Sequence, residues 1–105
     1  MLILVAKAEA QTSALAISDS LYAVGEYEEA IEVMEGISDN SERIHQSLAK
    51  YNWAAGNSAR ASEHYEKLLE LNPKRLLTAI DYGKLLVKTG KLSKADSLFS
   101  SLTNK

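Results

Sequence analysis

Cysteine is absent from the chain, which excludes a disulfide framework, thiolate metal sites and a thiol nucleophile while leaving the redox compartment open. Long apolar runs are absent too. The longest stretch with membrane character is Met1 to Ala6, far short of the ~20 residues that span a bilayer. The small-x-small pattern that follows, Ala6-Lys7-Ala8 and Ala8-Glu9-Ala10, resembles a signal-peptidase site without a basic region ahead of it. Residues 1–10 therefore read either as an N-terminal helix extension or as the remnant of a signal peptide. The first reading suits a cytoplasmic protein and the second a periplasmic or secreted one. No glycine-rich loop of the kind that cradles phosphates occurs, and no Gly-x-Ser-x-Gly elbow.

Histidine is scarce as well, at His45 and His64 only. The residues four positions on, Ala49 and Leu68, cannot ligate a metal. Lys67 lies three after His64 and repels a cation, and Glu42, three before His45, is a single helper. We expect packed or surface histidines, with no metal and no cofactor. Five glutamates between Glu26 and Glu35 lie on an amphipathic pattern whose other side holds Ala30 and Met34, which is the arrangement of a solvated helix face. Nothing here assembles a catalytic constellation, so the expectation is a protein that is not an enzyme.

What the chain does have is the composition of a soluble globular domain. It has 105 residues, 46% of them apolar and 25% charged, which fits one domain with a continuous core. The net charge of −2 conceals an asymmetry. Residues 1–52 carry 3 Lys/Arg against 9 Asp/Glu, and residues 53–105 carry 9 against 5, so the halves are −6 and +4. The basic stretch 74–94 invites nucleic acid, but an overall pI near 5.7 argues against that partner.

The organising feature is a repeat. Gly25, Gly56 and Gly90 stand at intervals of 31 and 34, and each is followed five residues later by Ala30, Ala61 or Ala95. Nine after each glycine comes Met34, Tyr65 or Phe99, and twelve after comes Ile37, Leu68 or Leu102. Small, large and aliphatic at i, i+4 and i+7 form one stripe on a helix. Eight before each glycine is Ile17, Leu48 or Tyr82, and seven before is the small Ser18, Ala49 or Gly83, which lets two helices approach closely. Each unit is thus helix, glycine turn, helix, with the glycine where a left-handed backbone is cheap only without a Cβ. Asn72-Pro73 reads as an N-cap followed by a proline at the first helical position, and Gly36-Ile37 as a helix stop. The spacing predicts helices over 12–24, 27–36, 41–54, 58–71, 74–88 and 92–103.

A period near 34 with these residues resembles the tetratricopeptide repeat family, over about residues 11–105 (units 11–41, 42–75 and 76–105), in the manner of a bacterial multi-repeat protein. The resemblance implies an all-α, right-handed superhelical solenoid of three antiparallel helix-turn-helix repeats. Two family positions depart from pattern. The aromatic that often opens the first helix is Ala14, His45 or Ala79, and the aromatic four before the glycine is Leu21, Asn52 or Leu86. Asn52 should find a hydrogen-bond partner or water.

Family resemblance further implies a concave groove lined by the first helices. Its residues would be Thr12, Leu15, Asp19, Tyr22 and Ala23, then Arg43, Gln46, Lys50, Trp53 and Ala54, then Leu77, Ile80, Lys84, Val87 and Lys88. The expected partner is a protein or peptide segment offering an acidic group beside an apolar anchor, with Trp53 the main anchor point. The competing reading of Trp53 packs it on a neighbouring helix. The Lys and Asn clamp by which some family members hold a C-terminal carboxylate is absent, since Leu15 and Asp19 stand in its place. A second functional reading makes the chain a structural spacer or self-association unit of a longer repeat protein, acting through uncapped ends as a homo-oligomer.

Overall fold

Helix formation follows the punctuation of the sequence. The computed structural model describes residues 2–37 and 41–103, and among these the regular elements are six helices with no strand: α1 (Leu2–Ala23), α2 (Tyr27–Glu35), α3 (Glu42–Ala54), α4 (Ser58–Leu71), α5 (Leu76–Lys88) and α6 (Leu92–Thr103). Helix α1 starts at Leu2, ten residues before the expected start at 12, because Leu2 to Gln11 contains neither proline nor glycine and is rich in strong helix formers. No helix among the described residues is long and apolar enough to cross a membrane.

Three helices stop the same way. Gly25, Gly56 and Gly90 have φ of 86°, 86° and 79°, and each is the left-handed residue of a Schellman turn. After α3, for example, Asn57 N–H donates to the Asn52 carbonyl at 2.8 Å and Gly56 N–H to the Trp53 carbonyl at 3.0 Å. The same pair of bonds follows α1 and α5. Gly36 differs, ending α2 in right-handed geometry with φ −73°.

The start of α5 corrects the expectation at Asn72-Pro73. Asn72 is the C-cap of α4 rather than the N-cap of α5, a place taken by Arg75, and α5 begins only at Leu76. Proline forbids helical backbone in the residue before it, so Asn72 is extended (φ −148°, ψ 91°) and α4 ends there. Residues 72–75 close a turn, with Arg75 N–H donating to the Asn72 carbonyl at 3.2 Å and Lys74 N–H to Asn72 Oδ1 at 3.2 Å.

Within each helix pair the small residues meet as the spacing implies. Ala30, Ala61 and Ala95 are buried opposite Ser18, Ala49 and Gly83, and Ser18 Oγ donates to the Ala30 carbonyl at 2.8 Å. A Cβ on Gly83 would lie 2.1 Å from Phe99 Cζ, so the ring sits where only glycine leaves room. Asn52 is fully buried and satisfied, donating from Nδ2 to the Leu48 carbonyl at 2.8 Å and accepting at Oδ1 from Asn57 Nδ2 at 3.2 Å.

Pairs stack into an all-α helical-repeat solenoid with a core divided between neighbours. One apolar cluster joins α1, α2 and α3 around Ile31, Met34, Leu48 and Tyr51, and another joins α3 to α6 around Tyr65, Leu68, Tyr82 and Leu86. Each repeat thereby buries its apolar face on the next, the arrangement in which stability is a sum of nearest-neighbour interfaces. Three apolar residues of the predicted stripes lie outside both clusters: Ile17 and Phe99 are exposed and Leu102 is half-buried.

Candidate functional site

A cleft of about 940 Å³ lies between α3 and the start of α5. Helix α5 starts at Leu76 after the Pro73 turn and packs against α4 and α6, and buried side chains of α4 lie beneath the space between α3 and α5. Tyr65 and Leu68 of α4 form the floor, Tyr22, Lys50 and Trp53 one wall, and Leu76 and Leu77 the other.

Two aromatic groups frame this space. Trp53 stands edge-on to Tyr65 at 6.2 Å between centroids, and Tyr65 stacks on Tyr82 at 5.8 Å. On the same wall, Tyr22 stacks on Tyr51 at 4.8 Å and tilts against Tyr27 at 5.4 Å. Edge-to-face and offset contacts of this kind fix ring orientation beyond simple burial. Trp53 is half-buried and packs on the second core cluster while presenting its remaining surface to the cleft, so the packing reading and the lining reading both describe it. Leu76 is 56% and Leu77 75% exposed, so this wall presents continuous apolar surface to the cleft.

The charges around the cleft are mostly engaged. Lys50 Nζ sits 4.8 Å above the Tyr22 ring, a cation–π contact. Arg75 pairs with Glu42, and Asp81 lines the cleft near Tyr65. Arg43 Nη2 lies 3.4 Å from Asp19 Oδ2, while Asp19 Oδ1 accepts the Tyr51 hydroxyl. Burial pushes the Tyr51 hydroxyl up to about 12, helped by Asp19, and burial with nearby Asp81 pushes Tyr65 to about 12. Both phenols therefore stay protonated across the neutral range.

Of the residues expected to line a groove, Tyr22, Gln46, Lys50, Trp53 and Leu77 come together in the cleft, along with Ala54. Leu15 packs into the first core cluster, and Asp19 and Arg43 form the exposed ion pair just described. Ile80, Lys84, Val87 and Lys88 lie along α5 outside the cleft lining, with Ile80 half-buried and the other three exposed. Sequence reasoning missed Tyr65 and Leu68, whose helical stripe reads as core, and Arg75 and Thr78, whose placement depends on the turn at Pro73. A comparison of the glycine intervals, 31 against 34, was the one available signal that the second junction is wider.

A separate polar pair escaped the spacing argument. His45 and His64, on α3 and α4, face each other with Nδ1 atoms 3.0 Å apart, one ring donating and the other accepting. Burial first, and then the His45 ring, hold the His64 pKa below its ordinary 6.5. Among the described residues no three His, Asp or Glu side chains gather as metal ligands.

The sequence model of the tetratricopeptide repeat matches residues 42–75, which are α3, α4 and the turn after them. The chain carries a tetratricopeptide repeat. That repeat supplies Gln46, Lys50, Trp53, Tyr65 and Leu68 to the cleft, while the helices on either side continue its geometry. Solved structures share the fold. One is PcrH in complex with the chaperone-binding region of PopB, with TM-score 0.77 and 15% identity, covering 90% of this chain and 78% of that one. At that identity the likeness is one of fold. No curated protein matches the sequence.

Proposed function

We propose that this chain is a non-catalytic binding module that holds a protein or peptide segment in the cleft between α3 and α5. The observation that carries the reading is the cleft itself. It is a repeat-built concavity of about 940 Å³ in which Trp53, Tyr22, Tyr65 and the exposed Leu77 converge. Apolar and aromatic walls with a few placed polar groups are what a peptide side chain needs from a receptor, and large aromatics dominate the energetics of such contacts. A solenoid of the same fold, PcrH, has been solved with a segment of another protein, which supports a peptide as the class of ligand.

The segment would place an apolar or aromatic residue between Trp53 and Leu77. An acidic group on either side of it would meet Lys84 and Lys88, which stand exposed along α5, or Lys50 at the Tyr22 wall. Arg75 is the weaker candidate because Glu42 already neutralises it. On this reading residues 11–105 act as one interaction unit.

The test uses the single tryptophan as its own reporter. Peptides selected from a random displayed library against the whole chain should combine an apolar anchor with acidic neighbours and should shift Trp53 emission on titration. Leu77→Asp and Trp53→Ala should each weaken the selected peptides by about tenfold or more, as removal of an interface anchor does. Peptides that bind both variants as well as the wild type would place the binding surface elsewhere and end the proposal.

A further inference from the structure

The junction between successive units is made twice inside this chain, and each of its halves occurs a third time uncovered. On the receiving side, Leu48 in α3 and Tyr82 in α5 stand eight residues before their glycines and are buried under the preceding unit. Ile17 occupies that position in α1 and is 54% exposed, with Val24 beside it at 73%. On the donating side, Met34 in α2 and Tyr65 in α4 stand nine residues after their glycines and are buried. Phe99 occupies that position in α6 and is 37% exposed.

The two uncovered halves match in apolar character. Ala16, Ile17, Leu21 and Val24 form one shallow apolar face along α1 and its end, where Ser20 stands in place of the Tyr51 of α3 and the Leu85 of α5. The tip of the Phe99 ring lies against Gly83 while the rest of the side chain stays partly exposed, with Leu102 three residues on along the same stripe. They also fit in charge. The half of the sequence that ends in α6 carries +4 and the half that begins with α1 carries −6, so approach of one copy's rear to another's front is electrostatically favourable.

We propose that the occupant of the α1 face is α6 of a second copy of this chain, which continues the solenoid head to tail through a third instance of the junction already made twice. Because the two faces differ, the contact is heterologous. It leaves one donating and one receiving face free at the ends of every dimer, so association proceeds to open chains of copies rather than stopping at a closed pair. The cleft between α3 and α5 takes no part, so this proposal stands or falls separately from the binding function above.

Sedimentation of the whole chain from micromolar to near-millimolar concentration tests it. The wild type should rise in average mass past a dimer as concentration increases. Ile17→Glu blocks only the receiving face, and Thr103→Glu, at the position where α4 packs Leu69 against the core cluster it shares with α5, blocks only the donating face. Both sites are exposed, so folding should survive, and circular dichroism checks that it does. Each variant alone should sediment as a monomer, with association weakened about tenfold or more. An equal mixture of the two should form a dimer and nothing larger, since each supplies the face the other lacks. A wild type that stays monomeric, a mass that stops at a dimer, association retained by either variant alone, or a mixture that stays monomeric would each overturn the proposal.

Discussion

Replacing Asn52 by leucine should stabilise this protein, although it deletes two hydrogen bonds from a fully buried side chain. The equivalent residue is Leu21 in the first unit and Leu86 in the third, so the backbone at this position already accommodates leucine twice. Burying a leucine side chain is worth about 1.5–3 kcal/mol. Against that stands the loss of the Asn52–Asn57 bond, at about 1 kcal/mol. The second lost bond, to the Leu48 carbonyl, joins a group that lies within the hydrogen-bonded ladder of α3, so no new orphan is created there. Asn57 is only half-buried and can turn its amide to water. The net expectation is a gain of about 1 kcal/mol, equivalent to a rise in melting temperature of roughly 5 °C for a domain of this size. Asn52→Ala removes the same bonds and leaves a cavity, so it should cost about 2 kcal/mol. Urea titration followed by circular dichroism reads both changes. If Asn52→Leu destabilises the chain by as much as Asn52→Ala does, then the Asn52–Asn57 contact organises the turn in a way that simple burial does not capture, and the repeat equivalence is the wrong guide.

Two further outcomes follow from the backbone and from the histidine pair. Gly56→Ala meets no atom within 4 Å of its added Cβ but must hold φ at +86°, so it should cost about 1–2 kcal/mol by urea titration through backbone strain alone. His64 is held neutral in the folded state, its pKa below 6.5, so the unfolded chain binds more protons as pH falls through 6.5. The stability that depends on this group is therefore complete above that pH and declines below it. Urea midpoints measured from pH 8 to pH 5 should fall in the wild type and fall less in His64→Gln.

Much of the architecture was legible because the repeat is written in residues whose physics is local. Only glycine holds a positive φ at low cost, and all three turn glycines adopt it. Alanine at the crossing of two helices admits close packing, and Ala30, Ala61 and Ala95 are all buried there. The first helix starts ten residues earlier than expected and the fifth two residues later, for equally local reasons. An unbroken run of helix formers extends α1 back to Leu2, and a turn over residues 72–75 precedes α5 at Leu76.

The sequence by itself determined the phase of the repeat, the number and order of the helix pairs and the all-α class, since each depends on periodicity and turn chemistry along the chain. Tertiary structure decided where those pairs stand apart. Tyr65 and Leu68 carry the pattern of core residues and are buried as such, and only the placing of α5 beside α3 makes their outer atoms the floor of a cleft. It also decided which charges are spent, pairing Arg43 with Asp19 and Arg75 with Glu42, and it brought His45 against His64 across 19 residues of chain. Contacts of that kind depend on the angle and spacing between helices, a property of the packed stack that no single stripe encodes.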